Sequence, residues 1–359
     1  MSATELDLHG DLVDLFRAVC DVPSVSGDER ALADLVEAAL RREDHLEVLR
    51  DGDAVVARTH LGHAQRVVVA GHLDTVPIAD NLPTRLVGDE VWGRGTVDMK
   101  GGVAVALALA ARLAAPTRDV TWVFYDHEEV ASDLSGLGRL VREHPDWLAG
   151  EFAVLGEPSN GGIEGGCNGT LRVEVRLHGV AAHSARAWTG VNAVHAAGEV
   201  LRRLEAYAPQ TVEVDGLAYR ESLNSTLIAG GVAANVIPDS CVVTVNYRFA
   251  PSRSVEQALA HVRDLFEGYE VVLTDAASGA RPGLDHPAAA EFAAAVLGVT
   301  GGVPAPKYGW TDVARFAELG IPAVNFGPGD PLLAHKSDER CPVGQVHQSY
   351  AALHAWLTA

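Results

Sequence analysis

Histidine and carboxylate side chains follow three consecutive strand-like segments of this 359-residue sequence. The segments and the residues that follow them are Arg66–Ala70 with His72 and Asp74, Val120–Tyr125 with Glu128 and Glu129, and Phe152–Leu155 with Glu157. In an open α/β sheet, binding groups collect at the carboxyl ends of the strands. We therefore expect these side chains to meet at one site.

His72 and Asp74 form a His-x-Asp pair. Alternate residues of an extended strand point to the same side, so both side chains could face one site. Asp74 could then ligate a metal ion, or hold the imidazole through its second nitrogen. The pair alone is a weak indication, because short motifs of this kind are common.

Asp98 lies in a glycine-rich turn just before Gly101–Ala114, an apolar segment with the character of a buried helix. Glycines permit tight turns and close backbone approach, which could place Asp98 in a cleft. Its carboxylate has two oxygens and could bridge two cations. On its own, the same residue could instead cap the helix.

Glu128 and Glu129 are adjacent acids at the end of an apolar strand, where like charges repel each other and burial is costly. The two residues could form a solvated turn. Alternatively, one of them is a metal ligand and its neighbour is a proton shuttle. His335, in the segment Ala334–Glu339, supplies a further imidazole.

Taken together, five residues offer the mixed nitrogen and oxygen ligands that suit zinc, with cobalt and manganese as alternatives. They are His72, Asp98, Glu129, Glu157 and His335. Two ions roughly 3.5–4 Å apart can activate a water and polarise a substrate carbonyl. Glu128 would then move the proton of that water to the leaving amine, which predicts amide hydrolysis.

The order of strand and helix signals predicts two domains. Residues 1–168 and 284–359 alternate strands with helices, as in an α/β domain with a mainly parallel sheet. Between them, residues 169–283 follow a β-α-β-β-α-β order, which predicts an inserted α+β domain of ferredoxin-like type. The segments of that order are Thr170–His178, Val191–Tyr207, Ser225–Ala229, Cys241–Phe249, Gln257–Phe266 and Val271–Thr274.

Composition excludes several classes of protein. A formal net charge of -20 with only three lysines repels phosphate backbones, which argues against nucleic acid as a partner. The longest apolar run, Gly101–Ala111, is too short to cross a bilayer, and the first residues do not resemble a signal peptide. The four cysteines form no CxxC pair, so we expect neither disulfides nor a thiolate zinc site. We expect a cytoplasmic protein.

The sequence resembles the dinuclear-zinc M20 peptidase and deacylase family over essentially its whole length. The matching segments are GHLDTVP, GRGTVDMKGG, a strand ending in HEE, LGEP, GVAAHSA and AHKSDE. The resemblance implies one metal held by His72 and Glu157, a second held by Glu129 and His335, Asp98 as the bridge, Asp74 orienting His72, and Glu128 as the general acid/base.

The resemblance also gives the inserted domain a role. In this family that domain normally forms the dimer interface. We also expect it to close over the substrate, because His183 lies on it and must approach the metal ions. His183, in the GVAAHSA segment, matches the histidine that reaches the active site of the partner subunit. There it would stabilise the oxyanion of the tetrahedral intermediate.

Within the family, four further segments resemble the desuccinylases of the lysine and diaminopimelate route: Glu164–Thr170, Asn235–Pro238, Tyr247–Phe249 and Thr311–Phe316. The implied reaction converts N-succinyl-LL-2,6-diaminopimelate to succinate and LL-2,6-diaminopimelate. Arg248 could pair with a substrate carboxylate, and Asn235 and Thr311 could donate hydrogen bonds.

Two segments depart from the desuccinylase pattern. The chain has Thr-Asp-Val-Ala-Arg-Phe where many of these enzymes have Ser-Asp-Gly-Arg-Phe, and Ala187-Trp188 replaces a common proline. Acetylornithine deacetylase and an aminoacylase or carboxypeptidase therefore remain alternatives. The non-enzyme alternative is an inactive metal-binding module of the same fold, from which the presence of Glu128 distinguishes this chain.

Overall fold

The computed structural model describes residues 5–359, which form two compact units. The first unit comprises residues 5–166, 282–305 and 311–359, and the second comprises residues 167–281 and 306–310. The sequence-based division differs in placing all of residues 284–359 with the first unit. The short stretch 306–310 belongs to the second because Asn168 N donates to Lys307 O (3.2 Å) and Trp310 Nε1 donates to Ser278 O (3.0 Å).

The strands, in chain order, are β1 (Glu47–Asp51), β2 (Ala54–Arg58), β3 (Arg66–His72), β4 (Arg85–Val87), β5 (Glu90–Trp92), β6 (Asp119–Tyr125), β7 (Phe152–Leu155), β8 (Glu164–Gly165), β9 (Gly169–His178), β10 (Ala182–His183), β11 (Thr211–Val214), β12 (Leu217–Arg220), β13 (Ser222–Gly230), β14 (Val236–Ile237), β15 (Ser240–Phe249), β16 (Glu270–Ala277), β17 (Ala305–Pro306), β18 (Ala323–Asn325) and β19 (Arg340–Pro342). The α-helices are α1 (Leu12–Asp21), α2 (Arg30–Leu40), α3 (Lys100–Arg112), α4 (Gly136–Glu143), α5 (Ala193–Glu205), α6 (Val255–Leu265), α7 (Pro287–Thr300), α8 (Val313–Glu318) and α9 (Val343–Thr358).

The first unit is built on a sheet of order β1-β2-β6-β3-β7-β18-β8-β17. Its four central strands, β6, β3, β7 and β18, run parallel, which confirms the predicted mainly parallel α/β sheet. Their register brings the carboxyl ends together: His72 pairs with Tyr125, Ala70 with Leu155, and Leu155 with Asn325. The residues that follow these strands are therefore delivered to one edge of the sheet.

Helix α3 is packed into the core of this unit along its whole length. Residues 100–111 are all buried, as expected for a helix that is apolar on every side. Gly102 permits its close approach to the loop after β7, because a Cβ there would lie 2.1 Å from the main-chain oxygen of Gly156. Aromatic side chains close the core nearby: the ring of Phe292 lies 5.4 Å from that of Phe152 and 4.9 Å from that of Trp356.

The second unit contains an antiparallel sheet of order β13-β15-β9-β16. Helix α5 connects β9 to β13, and α6 connects β15 to β16, which confirms the predicted ferredoxin-like order. Along β9, buried Leu171, Val173 and Val175 alternate with more exposed residues, and these three pack in one core with residues of both helices. The residues of β9 that face away from this core, among them Arg172, Glu174 and Arg176, are polar.

Across residues 5–359, none of the helices has both the length and the apolar character needed to cross a membrane.

Two matched glycine substitutions test the packing of α3. Gly102→Ala should lower the free energy of unfolding by about 1–3 kcal/mol or more, because the added methyl group collides with the Gly156 backbone. Gly298→Ala, in α7, meets no atom within 4 Å and should stabilise by about 0.5–1 kcal/mol. The measurement is urea unfolding of both variants, and equal effects would contradict this packing.

Candidate metal centre

Asp98 lies between two imidazoles at the carboxyl edge of the parallel sheet. His72 Nε2 is 3.2 Å from Asp98 Oδ1, and His335 Nε2 is 3.3 Å from Asp98 Oδ2. His335 Nε2 is also 2.9 Å from Glu129 Oε1. One carboxylate therefore contacts two histidines through different oxygens, the arrangement needed for a bridge between two cations.

The described residues include two groups of potential ligands that share Asp98. One group is His72, Asp98 and Glu157, the other is Asp98, Glu129 and His335, and within each group the ligand atoms lie within 4.8 Å of one another. The structure thus brings together all five residues predicted as metal ligands. Imidazole with carboxylate and no thiolate is a donor set that fits zinc, cobalt or manganese.

The charges at this centre also fit a bound cation. Burial alone would lower the pKa of His72, but Asp74 and Asp98 raise it well above its ordinary value. Asp98 and Glu129 raise the pKa of His335 to about 10. Burial would raise the pKa of Asp98, yet hydrogen bonds from His335 and His72 hold it well below its ordinary range. Each imidazole attracts a proton here, and a divalent cation would compete for the same lone pair.

Asp74 joins the histidine to the acidic turn after β6. The Nδ1 atom of His72 lies 3.0 Å from the main-chain oxygen of Asp74 and 3.4 Å from its Oδ1. The Asp74 carboxylate accepts the N–H groups of Glu128 and Glu129, each at 3.0 Å. Burial opposes ionisation of Asp74, but hydrogen bonds led by that of His72 lower its pKa to about 2. The carboxylate therefore holds the turn as well as facing the imidazole.

Glu128 lies next to the ligand groups, within 4.8 Å of atoms of His72 and Glu129. Burial raises the pKa of Glu128 well above its ordinary value; His72 offsets part of this rise, and repulsion by Glu157 adds to it. A carboxylate with raised proton affinity, held beside the ligands by its own main-chain N–H, can accept and return a proton.

The predicted substrate-binding residues are distributed over both units, and the predicted catalytic residue His183 lies in the second. In the first unit, buried Thr311 donates its hydroxyl hydrogen to Asn325 Oδ1 at 2.9 Å. In the second, exposed His183 pairs with Val236, and Ser184 N donates to Asn235 O at 2.9 Å, which brings His183 and Asn235 into one small ladder. Arg248 lies on β15, where its Nε donates to Asn246 Oδ1 at 3.1 Å.

Sequence reasoning missed two buried acids near the centre. Glu339 accepts the main-chain N–H groups of Val97 and Asp98, and it lay unassigned within the AHKSDE segment that supplied His335. Asp312 follows Thr311 and lies 3.6 Å from Arg315 Nε; burial raises its pKa to about 6, and Arg315 offsets part of that rise. Each acid lies inside a segment already singled out for another residue, and that position is the sequence signal that could have identified it.

Comparison with known proteins assigns the chain to a family. The profile described as Peptidase family M20/M25/M40 matches residues 68–359. A Mycobacterium tuberculosis protein, provisionally named succinyl-diaminopimelate desuccinylase DapE, is 55% identical, with 98% of this chain and 99% of that protein covered. The succinyl-diaminopimelate desuccinylase of Corynebacterium glutamicum is 47% identical, with 98% of each chain covered.

A solved structure extends the likeness to the fold. The Bacillus subtilis protein YXEP, described as a dinuclear metal binding peptidase from the M20 family, superposes with a TM-score of 0.72 at 18% identity, covering 98% of this chain and 97% of that one. The family resemblance read from the motifs is confirmed. The chain belongs to peptidase family M20/M25/M40.

Proposed function

We propose that this hydrolase cleaves the amide bond of N-succinyl-LL-2,6-diaminopimelate to give succinate and LL-2,6-diaminopimelate. The observation that carries the chemistry is the placement of Asp98 between two ligand groups, with Glu128 beside them. The substrate assignment rests on the two relatives that bear the desuccinylase name at 55% and 47% identity over almost the whole chain.

The residues at the sheet edge would hold two divalent ions, most simply zinc. His72 and Glu157 would bind one, Glu129 and His335 the other, and Asp98 both. When bound, the ions supply Lewis-acid activation of a water and of the amide carbonyl. The dinuclear description of the Bacillus subtilis relative supports this stoichiometry. His335, with 53% of its side chain exposed, marks the side from which solvent reaches the ligands.

Glu128 is the general acid/base of this proposal. Its raised pKa allows it to take the proton of the attacking water and then deliver it to the leaving amine. Asp74 keeps Glu128 in place through the main-chain N–H of that residue, so the carboxylate side chain stays free to move the proton. Arg248, Asn235 and Thr311 would bind the carboxylates and polar groups of the substrate.

The second unit would complete the site as part of a homodimer. Its edge strand β13 is exposed along residues 224–230, including Leu227 (68% exposed) and Ile228 (53%). An exposed edge with apolar side chains is a surface that another chain can cover. We assign it to a second copy, whose His183 would stabilise the oxyanion.

The four cysteines are all free thiols, which suits a reducing cytoplasm.

A comparison of two substrates tests the function. The zinc-reconstituted protein should turn over N-succinyl-LL-2,6-diaminopimelate with a much higher kcat/KM than N-acetylornithine, and a chelator should abolish both activities. Preference for N-acetylornithine would keep the metal chemistry and overturn the substrate. Activity that survives full removal of metal would contradict the mechanism.

Neighbouring glutamates provide a matched test of the acid/base. Glu128→Gln should lower kcat roughly 10²–10⁴-fold and leave two metal equivalents bound, because it removes the proton shuttle and little ligation. Glu129→Gln, the same change one residue later, should lose metal. Metal content is measured by atomic emission beside kcat. Wild-type turnover by Glu128→Gln would rule out its role.

Subunit mixing tests the placement of His183. Glu128→Gln and His183→Ala dimers should each be inactive alone. When the two are mixed and their subunits exchange, hybrid dimers form. One site of each hybrid combines an intact Glu128 with an intact His183 from the other chain. Random exchange should restore about a quarter of wild-type activity, since half the dimers are hybrids with one good site. Mixing Glu128→Gln with the Glu128→Gln/His183→Ala double variant is the control and should restore none. If the first mixture also stays inactive, His183 does not act across an interface.

A further inference from the structure

Arg94 and Glu339 form an ion pair buried beneath the candidate metal centre. Arg94 Nη1 lies 2.7 Å from Glu339 Oε2, and the two side chains are only 4% and 1% exposed. Burying two charges is costly unless their remaining hydrogen-bonding groups are satisfied. Each partner of this pair meets that condition through main-chain groups of the loops around the centre.

Glu339 holds the turn that carries Asp98. Its Oε1 accepts the N–H of Val97 at 2.9 Å and of Asp98 at 3.2 Å. Its own main-chain oxygen accepts the N–H of Gly93 at 3.0 Å, at the start of the same turn. Both ends of the turn are thereby fixed to one residue.

Arg94 holds the segment that carries His335. Its Nη1 donates to the main-chain oxygen of Lys336 at 3.2 Å, and its Nε donates to that of Pro77 at 3.1 Å. His335 has a φ of 66°, in the left-handed region that residues other than glycine rarely adopt. Such a conformation persists only where the surrounding structure enforces it. Lys336, whose main-chain oxygen Arg94 binds, directly follows His335 in the chain.

We propose that Arg94 and Glu339 are positioning residues that set Asp98 and His335 at the separation required for a second metal ion. The pair joins the two loops that supply these ligands through hydrogen bonds to main-chain groups of those loops. This inference rests on the proposed roles of Asp98 and His335. Outer partners of this kind are worth about 10–100-fold in metal affinity.

The test is a zinc titration of metal-free protein by calorimetry, with no substrate present. Glu339→Gln keeps the size of the side chain but removes its charge. It should lower the affinity for one of the two zinc ions about 10–100-fold. The absorption spectrum of the cobalt-loaded variant should change, as ligand geometry at that ion relaxes. A general loss of stability lowers the apparent zinc affinity, but it does not change the spectrum of the cobalt that remains bound.

Asp119→Asn is the matched control. Asp119 is a buried carboxylate at the amino end of β6, and it accepts the N–H groups of Leu61, Gly62 and His63 at 2.8–3.1 Å. It holds a loop as Glu339 does, but it lies at the start of β6, and Glu128 follows the other end of that strand. Asp119→Asn should leave both zinc affinities and the cobalt spectrum unchanged.

Two further measurements keep the proposal testable where Glu339→Gln does not fold. Arg94→Lys retains the cation and should recover most of the affinity that Arg94→Met loses. In metal-free wild-type protein, the N–H groups of Val97 and Asp98 should exchange slowly with solvent, because Glu339 binds them. Rapid exchange of both would overturn the proposal.

The outcomes separate this inference from the proposed function. If wild-type protein binds two zinc ions tightly and Glu339→Gln binds them with unchanged affinities, only the positioning role is overturned. Failure of wild-type protein to bind two ions would overturn the metal assignment beneath it. If Asp119→Asn and Glu339→Gln lower the zinc affinity equally, the cause is a general loss of stability, and the positioning role is overturned.

Discussion

Repulsion between carboxylates at one sheet edge is the constraint on which the centre depends. Asp98, Glu128, Glu129 and Glu157 all lie there, and mutual repulsion would disfavour their ionised forms without a compensating positive charge. His72 and His335 supply part of that charge when protonated, as the directions of their pKa shifts indicate. Two divalent cations would supply it more completely. We therefore propose that Asp98, Glu129 and Glu157 are metal ligands and that Glu128 is the carboxyl that carries a proton.

The sheet brings these groups together, and main-chain hydrogen bonds keep them in place. Parallel β3, β6 and β7 deliver their following residues to the same edge, because their register aligns the strand ends. Two buried carboxylates then fix the loops: Asp74 accepts N–H groups of the Glu128–Glu129 turn, and Glu339 accepts those of the Asp98 turn. Each loop is held by an acid that belongs to a different segment of the chain. This arrangement lets the ligand side chains point at one another without the loops relaxing apart.

Much of this was predictable from the sequence. Strands β3, β6 and β7 are recognisable as apolar, β-branched runs followed by His, Asp or Glu. This one pattern predicted the fold class and the candidate ligands His72, Glu129 and Glu157. The β-α-β-β-α-β order of the second unit was equally readable. Helix α9 was missed although its apolar residues recur at helical spacing. The β4-β5-β19 sheet could not be foreseen, because β19 pairs with a strand about 250 residues earlier and each strand has only three residues. Glu339 escaped notice for a related reason: its partners are main-chain groups and the side chain of Arg94, all more than 240 residues earlier, which leave no local pattern in a sequence.

The most direct test of the central claim is anomalous diffraction at the zinc edge from crystals of zinc-loaded protein. The account predicts two peaks roughly 3.5–4 Å apart, with the Asp98 carboxylate between them and His72 and His335 on opposite ions. One peak only, or a pair of peaks away from Asp98, would contradict it.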